Sequence, residues 1–462
     1  MADGCITVIG GGLAGAEAAW QAAKRGASVR LYEMRPTVRT PAHQTDRLAE
    51  LVCSNSLKSE SPEDASGLLK TEMRALESVI LRCADAHRVP AGSALAVNRH
   101  EFAGAVTEVI NAHPRVRVIR EEVPDVPRDR PVIVASGPLT SDRLTGDLKT
   151  RFDTFLASEM DSPSAAGPPT ATPRTANLLY FYDAISPIVA AESINRDVAY
   201  AAARYGVGGA DYLNCPLTRE EYQRFRDALL NGERYPLHDF ERASYFEGCL
   251  PIEELAERGE DTLRFGPMRP VGLRDPRTGK GPFAVVQLRQ ENHGPDGQPT
   301  MYNLVGFQTR LRRGDQAKAL RLVPGLEHAE ILRYGSVHRN TFLTAPVLLQ
   351  NTLQFRGDPG LFFAGQLTGV EGYLESAATG LLAGINAVRL TREEPLLCPP
   401  PTTMLGGLLH YLTTTAPATF QPINANFGLL PVLPQMMRDR QERNRRLVAR
   451  AQADFAAWSN IL

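Results

Sequence analysis

Two of the six cysteines, Cys53 and Cys249, stand in local sequences that suit a reactive thiol better than a packing residue. Cys53 lies in Glu50-Leu51-Val52-Cys53-Ser54-Asn55-Ser56-Leu57-Lys58, a polar run with little reason to be buried. Cys249 lies in Tyr245-Phe246-Glu247-Gly248-Cys249-Leu250-Pro251-Ile252-Glu253, where Gly248 frees the backbone and Pro251-Ile252-Glu253 opens a helix. An ordinary thiol, with a pKa of about 8.5, is hardly ionised at pH 7, and a helix N-terminus favours the thiolate that acts as nucleophile. The alternative role, a small buried hydrophobe, suits Cys5 in an apolar strand and Cys83 on an apolar helix. Cys215 is intermediate, and Cys398 sits incidentally in a proline-rich loop. With no CxxC and no Cys/His cluster at zinc spacing, no metal is expected. No secretory leader is read in the opening residues, so disulfides are not expected and the cytoplasm is the expected compartment.

A second kind of chemistry is written in Gly10-Gly11-Gly12-Leu13-Ala14-Gly15. An apolar run, Cys5 to Ile9, precedes it. A small-residue helix follows, stopped by Gly26, and Ala27 to Tyr32 reads as a second strand closing on Glu33. Strand, glycine turn, helix, strand and acid, in that order, make a dinucleotide site: the glycines admit a pyrophosphate to the helix N-terminus, and Glu33 accepts from a ribose. Two further loops carry candidate ligand groups. Gly335-Ser336-Val337-His338-Arg339-Asn340-Thr341 offers His338 and Asn340 to a planar ligand or to its own backbone. Gly266 to Gly272 reads as a backbone-exposing loop or a plain turn.

The elements that must hold these groups follow from composition and order. The chain has 462 residues, 43% hydrophobic and 22% charged, which is the balance of a globular protein. No apolar run nears the roughly 20 residues that cross a bilayer, so no membrane association is expected. Lys+Arg is 51 against Asp+Glu 52, which excludes a globally basic nucleic-acid binder and leaves only local patches. The best patch is Met436 to Arg450, with six arginines against Asp439 and Glu442. Arg438, Arg443 and Arg446 there could meet phosphates, or the stretch could be an ordinary solvated helix face.

Asp64 or Ser66 is placed to cap a helix through Leu68, Met73 and Ile80. Val132-Ile133-Val134 and Leu361-Phe362-Phe363 read as buried strands, the second leading into Gly365-Gln366-Leu367-Thr368-Gly369-Val370-Glu371-Gly372-Tyr373 and a small-residue helix from Glu375 to Val388. Between them, the composition shifts to aromatics and charged helices. The nucleotide fold therefore opens the chain, is interrupted and resumes, which favours a flavoprotein over a contiguous nicotinamide dehydrogenase. The expected class is α/β: a Rossmann-like FAD-binding domain of glutathione-reductase type in two parts, 1–177 and 335–462. A smaller mixed α/β insertion, 178–334, would face the substrate.

Over nearly its whole length the chain resembles the folate- and FAD-dependent tRNA (uracil-5-)-methyltransferases, the TrmFO or Gid family related to GidA flavoproteins. The resemblance rests on Val8 to Gly15 with Glu17, Leu51 to Ser56, Phe246 to Glu253, His338 to Thr341 and Phe363 to Tyr373. The two cysteine motifs are the specific ones. The resemblance implies methylation of the T-loop uridine of tRNA to 5-methyluridine, with methylenetetrahydrofolate as carbon donor, FAD as carrier and reductant, and NAD(P)H restoring the reduced state. It implies FAD contacts from the glycine turn, Glu33, Gly365, Gln366, Gly369, Gly372 and Tyr373, and folate contacts from His338 and Asn340. Uracil accepts a thiolate at carbon 6 and becomes nucleophilic at carbon 5. Cys249 is the expected nucleophile and Cys53 the expected base or trapping thiol beside the flavin, although the two roles could be exchanged. The tRNA T-arm is the expected partner, with no obligate protein partner. A GidA-like enzyme acting on wobble uridine and a small-molecule FAD oxidoreductase are the alternatives, and a non-enzymatic RNA protein would leave both cysteine motifs unexplained.

Overall fold

The computed structural model describes residues 5–40, 42–160, 178–204, 210–235, 250–292, 298–435, 437 and 439–461. Ile6–Ile9 is a fully buried strand paired in parallel with Val29–Tyr32 on one side and Val132–Val134 on the other. Val116–Ile119 and Asp358–Phe363 extend this parallel sheet outward, and Gln354–Phe355 closes one edge as its antiparallel partner. Strands buried on both faces need continuous apolar runs, which is how Ile6–Ile9, Val132–Val134 and Leu361–Phe363 read. The second strand starts at Val29, two residues later than its composition suggested, because Ala27 N–H instead bonds Ala22 O in the turn after the first helix.

The first helix, Leu13–Lys24, packs against Tyr373–Thr391 more closely than ordinary side chains permit. A Cβ on Gly380 would stand 2.1 Å from Ala14 O, and one on Gly384 would stand 2.4 Å from Ala18 O. Small residues four apart on one helix therefore bring its backbone against the other, and the segment around residue 370 is pulled over the glycine turn. The later helix begins at Tyr373, two residues before the expected Glu375, with Gly372 as its N-cap. Asp64 does precede the helix Ala65–Ala75, but its carboxylate accepts from the Ser59 hydroxyl and not from the helix backbone.

A second six-stranded sheet has the order Tyr200–Ala201, Tyr212–Leu217, Ala284–Gln290, Met301–Leu304, Ile188–Ala190, Ile331–Arg333, all antiparallel. The larger apolar core draws on residues up to Phe152 and from Phe342 onward, while a separate core draws on Val189 to Ala329. An antiparallel ribbon, Leu178–Ile185 with Ser336–Leu343, links the two.

Buried carboxylates tie helices to this frame. Glu72 accepts from Met404 N–H (2.7 Å) and Leu405 N–H (2.8 Å), two donors that the start of helix Met404–Thr414 would otherwise leave unpaired. Burial pushes its carboxyl up to about 8. An acid whose native value is raised stabilises the fold fully below the unfolded value of about 4.3, and that stability is lost as pH rises through the native value. Melting temperature is therefore expected to fall between about pH 4.3 and pH 8, and to fall less steeply in Glu72→Gln. Parallel pH profiles for the two proteins would count against this.

Candidate functional site

The glycine turn opens on a cleft of about 1040 Å³, part of it open to solvent. Gly10, Gly11, Gly12, Leu13, Ala14, Glu33, Gly365, Gln366 and Tyr373 line it, and Gly15, Gly369 and Gly372 do not. Gly10 has φ +101°, and a Cβ there would meet Ala135 O at 2.5 Å. Gly15 serves packing: its Cβ would lie 1.7 Å from Gly10 O. Gly12 differs, because its missing Cβ meets nothing within 4 Å and no side chain caps the helix that it precedes. A helix N-terminus with free N–H groups and open space before it fits a pyrophosphate. Gly369 turns the chain at φ +92° against Phe420, and Gly372 makes room for Glu375 Oε2 and Lys58 Nζ. These two glycines shape the loop without facing the cleft.

Glu33 is buried and already engaged. It accepts from Gly11 N–H (3.1 Å), Arg35 N–H (3.0 Å) and the Arg35 guanidinium (2.8 and 3.0 Å). Burial opposes its charge, but the bonds and charge of Arg35 hold it below the ordinary carboxylate value. His43, Thr40 and Glu50 also line the cleft, and sequence reasoning missed all three. His43 Nδ1 lies 2.5 Å from Thr40 Oγ1, and burial, followed by Arg35, lowers its imidazole to about 4, so it is neutral near pH 7.

Cys53 follows Val52, which lines this cleft, in an irregular turn and not at a helix N-terminus. Its thiol is addressed by the first residue of a helix from another part of the chain. Tyr373 Oη donates to Cys53 Sγ (3.2 Å) and accepts from the N–H groups of Cys53 (2.7 Å) and Ser54 (3.2 Å). Burial, followed by Cys53, holds the Tyr373 phenol well above its ordinary value, so it remains a donor. The next residues lock the turn to the second sheet: Asn55 Nδ2 donates to Val97 O and Gln290 O, and Arg289 donates to Asn55 Oδ1 (2.9 Å) and Ser54 Oγ (2.7 Å). Lys58 pairs with the buried Glu375 at 2.6 Å. Arg99 donates to Leu51 O (2.8 Å) and pairs with Glu291 (2.9 Å). Burial opposes the charge on Arg99, but Glu291, with Tyr373 and Cys53 behind it, raises its pKa. The arginines had no signal in sequence beyond their type.

Cys249 and Arg438 lie outside the described residues, as do the side chains of Val337, His338 and Arg339. His338 pairs in register with Asp183 of the ribbon. Asn340 is buried, its Nδ2 without a partner among the described residues, and Thr341 N–H donates to O of the cleft-lining Pro138 (3.0 Å). On the helix Arg440–Ser459, Arg443 is exposed, Arg446 pairs with Glu442 (2.8 Å) and Arg445 with Glu63 (2.8 Å), so this face carries less free charge than its count of arginines suggests.

Three other thiols are muted. Burial pushes Cys215 up to about 12, and Cys83 and Cys398 up to about 11. At pH 8, iodoacetamide is expected to label Cys53 in the folded protein and to spare Cys83, Cys215 and Cys398, as read by peptide mass spectrometry. Labelling of Cys215 at the Cys53 rate would refute this ordering.

A parallel sheet with its glycine turn, an uncapped helix N-terminus over open space and a second, inserted sheet together define an FAD-binding flavoprotein of the two-part α/β class. The family model described as glucose inhibited division protein A matches residues 5–395. Two Aquifex aeolicus GidA structures share this fold at 17% identity; one, with TM-score 0.64, covers 97% of this chain and 75% of that one. The chain belongs to the GidA family and, within it, to the TrmFO group. It is 55% identical over 446 residues to the methylenetetrahydrofolate–tRNA-(uracil-5-)-methyltransferase TrmFO of Moorella thermoacetica, covering 96% of each chain. It is 54% identical to the protein of the same name from Bacillus subtilis, again over 96% of each.

Proposed function

We propose that this protein methylates carbon 5 of the T-loop uridine of tRNA, taking the one-carbon unit from methylenetetrahydrofolate with bound FAD and NAD(P)H as reductant. The observation that supports this most directly is the Cys53 thiol held by Tyr373, a residue that lines the nucleotide cleft, in a chain of the TrmFO group. FAD, when bound, would supply the carrier and the hydride.

The chain's own residues would do the rest. Gly10 to Ala14 would take the pyrophosphate on backbone N–H groups, with no side chain at Gly12 to obstruct it. Glu33, Gly365, Gln366 and Tyr373 would line the rest of the cofactor's path. The Asn340 Nδ2, without a partner among the described residues, is a donor that a buried heterocycle would satisfy, and Asn340 with His338 is proposed for the pterin. Cys249 as thiolate would add to carbon 6 of the uracil ring, which makes carbon 5 the nucleophile. Once the one-carbon unit is on carbon 5, Cys53 Sγ would take the carbon-5 proton, and the carbon 6–sulfur bond to Cys249 would break. A hydrogen bond donated to the Cys53 sulfur favours its thiolate, the form that a base requires. Arg438, Arg443 and Arg446 are proposed for tRNA phosphates, with Arg443 the least compensated of the described ones. No helix among the described residues is long and apolar enough to cross a membrane, and the cytoplasm, where tRNA and folate meet, is the proposed compartment.

The test is to incubate the flavin-loaded protein with unmodified tRNA, methylenetetrahydrofolate and NADPH, and to identify the nucleoside by mass spectrometry. We expect 5-methyluridine in the T-loop. Flavin turnover without it would overturn the reading.

A further inference from the structure

The nucleotide cleft is not isolated. A hollow of about 670 Å³, lined by Gln44, Glu50, Arg99, Glu291 and Arg333, shares Glu50 with it. Gln44 and Arg333 in turn border an outer hollow of about 1240 Å³, whose other walls include Tyr235, Arg313 and Tyr334. Among the described residues, no carboxylate lines the outer hollow.

Arg333 ends the strand Ile331–Arg333 at the junction of the two hollows. Of the two carboxylates lining the inner hollow, Glu291 is taken by Arg99 at 2.9 Å and Glu50 by Arg35 at 2.9 Å, and among the described residues no ion pair is formed by Arg333. Arg47, Arg99 and Arg333 thus line a hollow whose two carboxylates are both already paired with arginines. Burial first, then the charge of Arg99, pushes Arg333 down from the ordinary arginine value. Holding a cation in such a place costs free energy that an anionic ligand would offset. Beside it, the Arg313 guanidinium lies over the Tyr334 ring, 5.6 Å from its centroid, and Tyr235 is 47% exposed. Arginines for phosphate and aromatic faces for bases are the two components of a single-strand groove.

We propose that the outer hollow seats the tRNA strand adjoining the target uridine, with Arg333 and Arg313 on a phosphodiester and Tyr334 stacked on a neighbouring base. This rests on the tRNA-methyltransferase reading above. The carboxylates of the folate donor are a smaller anion of the same sign. The breadth of the hollow and its two tyrosines favour a chain of nucleotides.

The test uses full-length, flavin-loaded protein and an unmodified tRNA transcript, with affinity measured over a series of salt concentrations and KM for methylenetetrahydrofolate measured separately. Arg313→Gln and Arg333→Gln are each expected to weaken tRNA binding about tenfold and to lower the slope of log affinity against log salt by about one. Tyr334→Ala is expected to weaken it to a similar degree and Tyr334→Phe to leave it unchanged. Arg128→Gln, an exposed arginine that lines none of the three hollows, controls for net charge and is expected to have no effect. Arg313 is exposed, so its variant keeps the test valid if Arg333→Gln fails to fold. Unchanged tRNA affinity and slope in the arginine variants would overturn the proposal, whether or not KM for the folate rises. Failure of the unaltered protein to bind tRNA would remove the underlying reading as well.

Discussion

Cys53→Ala protein is expected to purify with its flavin and to form 5-methyluridine more slowly by roughly 10²–10⁴, the range that a positioned proton-transfer group supplies. The flavin should stay because Cys53 is not among the residues that line the cleft and the glycine turn that would hold the pyrophosphate is untouched. Tyr373→Phe makes the expectation sharper. Removing that hydroxyl takes the donor from Cys53 Sγ and leaves the N–H groups of Cys53 and Ser54 without their acceptor. Stranding these part-buried donors costs at most about 1–3 kcal/mol of stability, and loss of the bond to Sγ is expected to slow turnover while the thiol remains. The pH profile separates the two effects. If Tyr373 favours the Cys53 thiolate, Tyr373→Phe should move the alkaline rise of Cys53 alkylation to higher pH. Wild-type turnover in Cys53→Ala would remove Cys53 from the chemistry, and an unmoved alkylation profile in Tyr373→Phe would reduce Tyr373 to a scaffold.

The second large effect is expected at two glycines three residues apart. Gly12→Ala should fold normally, since its backbone lies at φ −71° and the added methyl meets no protein atom. It should nevertheless bind FAD at least about tenfold more weakly, because that methyl occupies the approach a pyrophosphate needs. Gly15→Ala is expected to lose both flavin and stability. Its methyl would stand 1.7 Å from Gly10 O, and forcing extra volume into packed backbone typically costs about 1–3 kcal/mol or more. Absorbance of the bound flavin and thermal melting, measured on both variants, distinguish a ligand-facing glycine from a packing glycine. Full flavin occupancy in Gly12→Ala would show that the cofactor does not approach there.

The candidate site divides along the same physical line. The glycine turn and Glu33 were readable because a βαβ unit places them by short-range geometry, within about 25 residues of chain. Cys53 was singled out by its polar neighbours, but the agent acting on it is Tyr373, 320 residues away, brought there by the first residue of a helix. The basic run near the C-terminus was readable as a count of charges. Its compensation by Glu63, which comes from the far end of the chain, was not.

By itself, the sequence determined the features that depend on neighbours in the chain. These are the buried strands, the glycine turn, the interruption and resumption of the nucleotide fold, and the two cysteine motifs with the family they point to. Only the tertiary structure decided which of the candidate glycines face the cleft and which serve packing. It also locked the Cys53 turn to the second sheet through Asn55 and Arg289, and gave Glu33 four donors of its own. Local propensity and spacing act over a turn or a strand, whereas hydrogen-bond partners and desolvation depend on what the closed chain brings within a few ångströms.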